Sequence, residues 1–287
     1  MTAAPTLGDV VAVLEGLYPP ATAEGWDSVG LIAGDPAAPV RKVLFAVDPV
    51  ATVVDEALEW GADLVVTHHP LFLKGVHSVA ATTFKGSVVH RLLTAGVGLY
   101  NAHTNADSAP RGVADALADA VGLVDRGPLV AHAEGAETGI GRVGRLAEPA
   151  TLGEFARRVA AALPATAQGL RVAGDLDAPV STAAVVGGSG DSLFDAVRSA
   201  AVDVYVTSDL RHHPASELRE RALFERGTPY LVDTAHFASE WPWLRYAATD
   251  LAAGVTTLLA ARGEDGTVTC KVSTRVTDPW TTTVTAP

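Results

Sequence analysis

Leu64-Val65-Val66-Thr67-His68-His69-Pro70-Leu71-Phe72 is the stretch from which the fold is read. Leu64 to Thr67 carry no charge and have no polar face, the pattern of a strand in a parallel sheet covered on both sides. Two imidazoles follow immediately, and Pro70 ends the extension by removing a backbone donor. Neighbouring strand side chains point to opposite faces, so the pair shares one site only if the backbone bends there. Taken alone, His-His also reads as one core histidine and one exposed histidine.

The same pattern recurs outward from this stretch. A strand over 43–47 with a helix over 51–60 precedes it, and a helix over 87–94, a strand over 98–102 and a helix over 113–120 follow. Alternating strands and helices predict an α/β fold with mainly parallel sheets. In such sheets ligands collect beyond the carboxyl ends of the strands. Those ends carry Asp48, then His68 and His69, then His103 and Asp107.

Upstream, Thr6 is placed to cap a first helix whose Leu7, Val10, Val11, Leu14, Leu17 and Tyr18 form one apolar stripe, ended by Pro19 and Pro20. Downstream, residues 126–141 are rich in glycine and small side chains and read as a crossing between domains. A second α/β pattern follows, with strands over 143–146, 170–173, 183–186, 204–207 and 230–232 and helices over 152–163, 192–200 and 215–226. A last helix and a strand near 268–276 close the chain. With 287 residues, two domains are the natural expectation.

Composition narrows the partners. Lys and Arg number 21 against 33 Asp and Glu, a net charge of −12, which disfavours a non-specific phosphate-binding surface and hence nucleic acid. The one cysteine, Cys270, forms no internal disulfide or thiolate cluster, so a metal site must use nitrogen and oxygen. No export signal or membrane span is read, and a cytoplasmic protein is expected.

The metal-competent residues fall in three places. His68-His69 is the first. Asn101-Ala102-His103-Thr104-Asn105-Ala106-Asp107 is the second, with Asp107 able to bridge two cations or, more plainly, to cap the next helix. The third is Asp233-Thr234-Ala235-His236-Phe237-Ala238-Ser239-Glu240, where His236 and Glu240 share a helical face four residues apart, a chelating spacing that exposed helix pairs also show. Three imidazoles and two carboxylates suit zinc, iron or manganese. Gly187-Gly188-Ser189-Gly190 reads as a tight strand-to-helix turn, or as a cradle for an anion. Asp209, His212 and His213 follow another strand and read as helix cap and surface histidines, or as an acid/base set.

Together these motifs resemble the Nif-three-like family, whose bacterial members bear the name GTP cyclohydrolase 1 type 2 homologue. The resemblance runs over nearly the whole chain. It rests on Trp26-Asp27-Ser28-Val29-Gly30-Leu31, the His-His-Pro-Leu-Phe run at His68, Ala102 to Asn105 leading to Asp107, Gly187 to Gly190, Ser208 to His213, and His236 with Glu240. It implies two α/β/α domains with a dinuclear metal site in the cleft between them, and toroidal homohexamers. Domain 1 would comprise 1–127 plus 233–287, the C-terminal segment folding back, and domain 2 would comprise 128–232. The family's ligands fall on His68, His69, Asp107, His236 and Glu240, for two divalent ions per subunit. Ser28 stands where the family implies Asn, and Arg111 interrupts a stretch expected to be glycine-rich; both bear on substrate contacts.

The function expected is a metal-dependent hydrolase of a nucleotide-like or other small molecule, with His103 and His213 relaying protons. The alternative is a non-catalytic protein that binds, delivers or senses metal as a ring-shaped oligomer. A third reading is an interaction module whose metals stabilise the fold.

Overall fold

A computed structural model describes residues 4–284. In chain order the elements begin α1 (Leu7–Leu17), β1 (Gly30–Ala33), β2 (Lys42–Ala46), α2 (Ala51–Trp60), β3 (Leu64–Thr67), α3 (Phe84–Thr94), β4 (Gly98–Asn101) and α4 (Thr104–Ser108). Next are α5 (Val113–Ala120), β5 (Leu123–Ala131), β6 (Gly139–Thr151), α6 (Leu152–Ala162), β7 (Arg171–Ala173), β8 (Pro179–Ser189), α7 (Phe194–Ala200) and β9 (Val204–Ser208). The chain continues through α8 (His212–Glu225), β10 (Tyr230–Thr234), α9 (His236–Glu240), α10 (Trp243–Ala261) and β11 (Thr269–Val272). The fold is mixed α/β, as the alternating patterns predict.

Two compact units result. The first takes the described residues through Ala109 together with Leu244–Thr277, and the second takes Pro110–Trp243 with the described residues from Asp278. The boundaries read from sequence fell instead at 127/128 and 232/233. The difference has a physical cause: β5 pairs with β6, and β10 pairs with β9, so the segments on both sides of the second unit's middle are tied to its sheet by backbone hydrogen bonds.

In the first unit the strand order is β1-β4-β3-β2-β11, parallel except for the antiparallel edge strand β1. Thr6 caps α1 as expected, its hydroxyl accepting from the Asp9 amide at 3.1 Å while the Asp9 carboxylate accepts from the Thr6 amide at 2.9 Å. Leu7, Val10, Leu14 and Tyr18 are buried. One face of the sheet packs Leu44, Ala46, Val65 and Leu99 against Val53, Val54 and Ala57 of α2 and Val88, Val89 and Leu92 of α3. The alternate residues Val43, Phe45, Val66 and Tyr100 are buried too, so the strands have no solvated face and needed none in sequence. Gly61 ends α2 in the left-handed conformation (φ +70°), with its amide on the Ala57 and Leu58 carbonyls.

The second unit's sheet runs β5-β6-β8-β9-β10-β7. Only β8 with β9 and β9 with β10 are parallel; the other three pairings are antiparallel, so this half departs from the mainly parallel expectation. The supposed crossing over 126–141 is a hairpin between β5 and β6. Its glycines are there for close approach: a Cβ on Gly139 would lie 2.3 Å from the Val130 carbonyl oxygen, and one on Gly144 would lie 2.7 Å from that of Val124. Ala184, Val186 and Tyr205 of the sheet pack with Val197 of α7 and Leu218 of α8. No helix among the described residues is long and apolar enough to cross a membrane.

Candidate metal centre

The first unit gathers three imidazoles at the carboxyl ends of β3 and β4. Beyond Thr67 the backbone keeps the β2 ladder, His68 N–H donating to the Ala46 carbonyl and His69 N–H to that of Val47. The bend required by the sequence is supplied by the Thr67 hydroxyl, which donates to the His69 carbonyl at 2.8 Å. It brings the rings of His68 and His69 to 5.0 Å between centroids. His103 lies 5.2 Å from His68 and 5.6 Å from His69, and one ligand nitrogen from each of the three lies within 4.8 Å of the others. Asp107 stands beside His68: it lies in the short α4, not at the cap of the following helix, with Oδ1 3.7 Å from His68 Nε2.

Each of these rings has an oxygen at Nδ1. His68 Nδ1 lies 2.9 Å from the Ala102 carbonyl, His69 Nδ1 2.7 Å from Asp48 Oδ1, and His103 Nδ1 3.0 Å from Asp27 Oδ1. A carbonyl or an ionised carboxylate only accepts, so Nδ1 carries a hydrogen, and in the neutral ring the lone pair is then left on Nε2. That is how proteins prepare histidines for metals, the outer oxygen fixing both tautomer and ring orientation. Burial and the neighbouring His68 ring push the His103 imidazole down to about 4, although Asp27 pulls the other way. Burial works to raise the Asp27 carboxyl, but hydrogen bonds from His103 and Thr104 outweigh it and hold the group below its ordinary value.

In the second unit His236 and Glu240 sit one turn apart on α9, with Nε2 2.9 Å from Oε1. His236 Nδ1 lies 2.7 Å from Asp209 Oδ2, the same arrangement as in the first unit. The hydrogen bond with His236 holds Asp209 below its ordinary value. Asp209 itself adopts φ +55° just past β9, and helix α8 starts without a side-chain cap, so the carboxylate serves His236 and not the helix. Glu240 is buried. Gly188, at φ +68°, backs this pair: a Cβ there would lie 2.6 Å from Glu240 Oε1 and 3.0 Å from His236 Nε2. The Gly-Gly run is thus the wall behind two donors. Its amide at Gly188 donates to the Ser239 hydroxyl, and its carbonyls at Gly188 and Gly190 accept from Thr207 and Tyr205.

His213 is exposed in the first turn of α8 with its ring 5.2 Å from that of His212. Within the second unit it is Asp209, three residues before His212 in the same run, that touches His236. Asp27, Asp48 and Asp209 stand at the Nδ1 atoms of His103, His69 and His236, a place that sequence reasoning did not give them. The signal was present for two of them, since Asp48 and Asp209 each stand just beyond a buried strand, as the histidines do.

The donor chemistry fits divalent transition ions: imidazoles held through Nδ1 with Nε2 left to coordinate, carboxylates beside them, and no thiolate. Cys270 lies on β11 and burial pushes its thiol up to about 12.

A family model described as Duf34/NIF3 (NGG1p interacting factor 3) matches residues 5–262. A Streptomyces coelicolor protein named GTP cyclohydrolase 1 type 2 homolog is 52% identical over 96% of this chain and 94% of its own length. A Mycobacterium bovis protein of the same name is 36% identical, covering 96% of each chain; the alignment spans 380 positions, more than the 287 residues here, so that relative carries inserted sequence. Among solved structures, a Staphylococcus aureus hypothetical protein superposes with a TM-score of 0.81 at 26% identity, over 96% of this chain and 99% of its own. A Bacillus cereus protein related to NIF3 shows the same fold, with a TM-score of 0.81 at 23% identity over 97% of this chain and 99% of its own.

Proposed function

The chain belongs to the Duf34/NIF3 family, and from that premise we propose that it binds two divalent metal ions and acts as a metal-dependent hydrolase of a nucleotide-like or other small molecule. The observation that carries this reading is the oxygen at Nδ1 of His68, His69, His103 and His236. A structural histidine needs no such uniformity, whereas a ligand histidine does. The ligands assigned are His68, His69, Asp107, His236 and Glu240, for zinc, iron or manganese.

When bound, such ions lower the pKa of water and polarise an electrophile. The chain's own residues do the rest. His103 holds a proton at Nδ1 against Asp27 and is neutral at pH 7, so its Nε2 can accept a proton from a reacting group and return it. Asp27 keeps that ring in place and is itself held by the Thr104 amide at 3.1 Å. Trp26, an exposed side chain whose ring stands edge-on to His103 at 5.9 Å, offers a flat surface for a planar substrate. His213 is assigned the second proton relay. The name shared by the relatives supports a purine nucleotide as the first substrate to try. A cytoplasmic ring of six copies is the assembly assigned.

The test begins with chelator-stripped protein reloaded with zinc, iron or manganese and counted by elemental analysis. Wild type should hold two ions per chain, and His68→Ala and Glu240→Ala fewer. A hydrolysis screen of purine nucleotides on the same samples should show turnover in wild type alone. Turnover surviving in both variants removes the hydrolase reading. Full metal content with no turnover in any sample leaves the non-catalytic, metal-delivery reading in its place.

A further inference from the structure

The second unit contains a cavity of about 390 Å³ that the metal-ligand residues do not line. Its walls are the edge strand β7, the strand β10 beside it and the first half of α8. Leu210, Ala215 and Leu231 make much of it apolar. Arg171, Asp233 and Arg219 supply its charges.

Arg171 and Asp233 neutralise one another, with Arg171 Nε 2.7 Å from Asp233 Oδ2. Arg219 has no such partner. Among the described residues it makes no ion pair: its Nη1 donates to the carbonyl oxygens of Gly227, at 3.0 Å, and Pro229, and its guanidinium lies 5.1 Å from the Tyr230 ring centre. These contacts hold the side chain in place without neutralising it. Burial pushes the guanidinium below its ordinary value, and no carboxylate among the described residues pairs with it to offset that. One positive charge is therefore left unbalanced in this cavity, in a chain whose net charge is −12.

A half-buried cation costs stability unless something pairs with it. Arginine also presents Nε and Nη2 in a rigid fork that matches a carboxylate. The surrounding apolar wall asks for an apolar body on the same molecule.

We propose that this cavity is a binding site for a small organic monoanion, an aryl or alkyl carboxylate, whose carboxylate pairs with Arg219 while its apolar body lies on Leu210, Ala215 and Leu231. A monoanion cancels the single excess charge, whereas a phosphate dianion would reverse it. The site is separate from the metal ligands in its residues and chemistry, and it stands whether or not the protein is a hydrolase.

Calorimetric titration of the full chain with benzoate and with benzamide, its neutral counterpart, tests this. Benzoate should bind with a Kd of about 1 mM or tighter, and benzamide about ten-fold or more weakly, the ratio expected when one charge-assisted contact is lost. Arg219→Met should weaken benzoate about ten-fold for the same reason. Because Arg219 also holds two carbonyls, Ala215→Phe is the second variant: it fills the cavity, leaves the guanidinium in place, and should abolish benzoate binding. Glu240→Ala, stripped of metal, should bind benzoate as wild type does, which separates this site from adventitious coordination to an ion. Equal affinity for benzoate and benzamide, undiminished binding in Ala215→Phe, loss of binding in Glu240→Ala, or no benzoate binding at all would each overturn the proposal.

Discussion

Replacing Gly188 by alanine tests the local reading of the second unit's donor pair. The residue sits at φ +68°, where an L side chain is strained by about 1–2 kcal/mol. The added Cβ would also lie 2.6 Å from Glu240 Oε1 and 3.0 Å from His236 Nε2, closer than real Cβ atoms approach in the first case. Glu240 is only 2% exposed, so its carboxylate cannot swing into water to make room. Overpacking of this kind adds about 1–3 kcal/mol. Gly169→Ala is the matching control: its φ is +63°, but no atom lies within 4 Å of the Cβ position, so it carries the strain without the contact. Urea unfolding of chelator-treated protein, followed by far-UV circular dichroism, should therefore show Gly188→Ala less stable than Gly169→Ala by about 1–3 kcal/mol. Metal content after reloading should fall in Gly188→Ala and not in Gly169→Ala. Equal stability of the two variants together with full metal content would show that the glycine is not the wall behind Glu240.

Three further outcomes follow from the hydrogen bonds behind the donors and from the second unit's buried ion pair. Asp48→Ala removes the oxygen at His69 Nδ1 and should weaken metal binding about 10–100-fold without changing the far-UV spectrum; competition with a chelating indicator measures it, and unchanged affinity counts against the role given to Asp48. Asp115→Ala leaves Arg142, only 2% exposed, without the carboxylate that meets its Nε at 2.8 Å and Nη2 at 3.0 Å, and should cost about 3–5 kcal/mol. Burial works to raise the Asp115 carboxyl, yet the hydrogen bonds and charge of Arg142 outweigh it and hold the group below 3.8. The unfolded chain therefore takes up this proton first as pH falls, so the Asp115 contribution is complete above about pH 5 and is lost progressively below it as pH falls through the native value. Acid titration of wild type against Asp115→Asn should show a shallower loss of stability in the variant over that window, and parallel curves would refute the assignment.

The parts of the fold that were legible in sequence are those decided by local spacing. The bounds of α2, β3 and α5 agree with the reading residue for residue, because a helical apolar stripe or a short uncharged aliphatic run is complete within its own segment. The parts that were not legible depend on a distant partner. β1 passed unnoticed because Gly30–Ala33 is a four-residue edge strand that exists by pairing with Gly98–Asn101. The hairpin of β5 and β6 looked like a linker because glycine marks loops and also close backbone approach, and only the neighbouring carbonyls tell the two apart.

The same division runs through the candidate site. Residue types alone determined that any metal here meets nitrogen and oxygen, that His68 and His69 leave a buried strand together, and that His236 and Glu240 share a helical face. Tertiary structure decided which oxygen stands at each Nδ1. Parallel pairing of Ala46 with Thr67 and of Thr67 with Asn101 sets three strand ends abreast, so that Asp48 meets His69 and the Ala102 carbonyl meets His68. Strand register arises from contacts between segments far apart in the chain, and no periodicity within one segment encodes it.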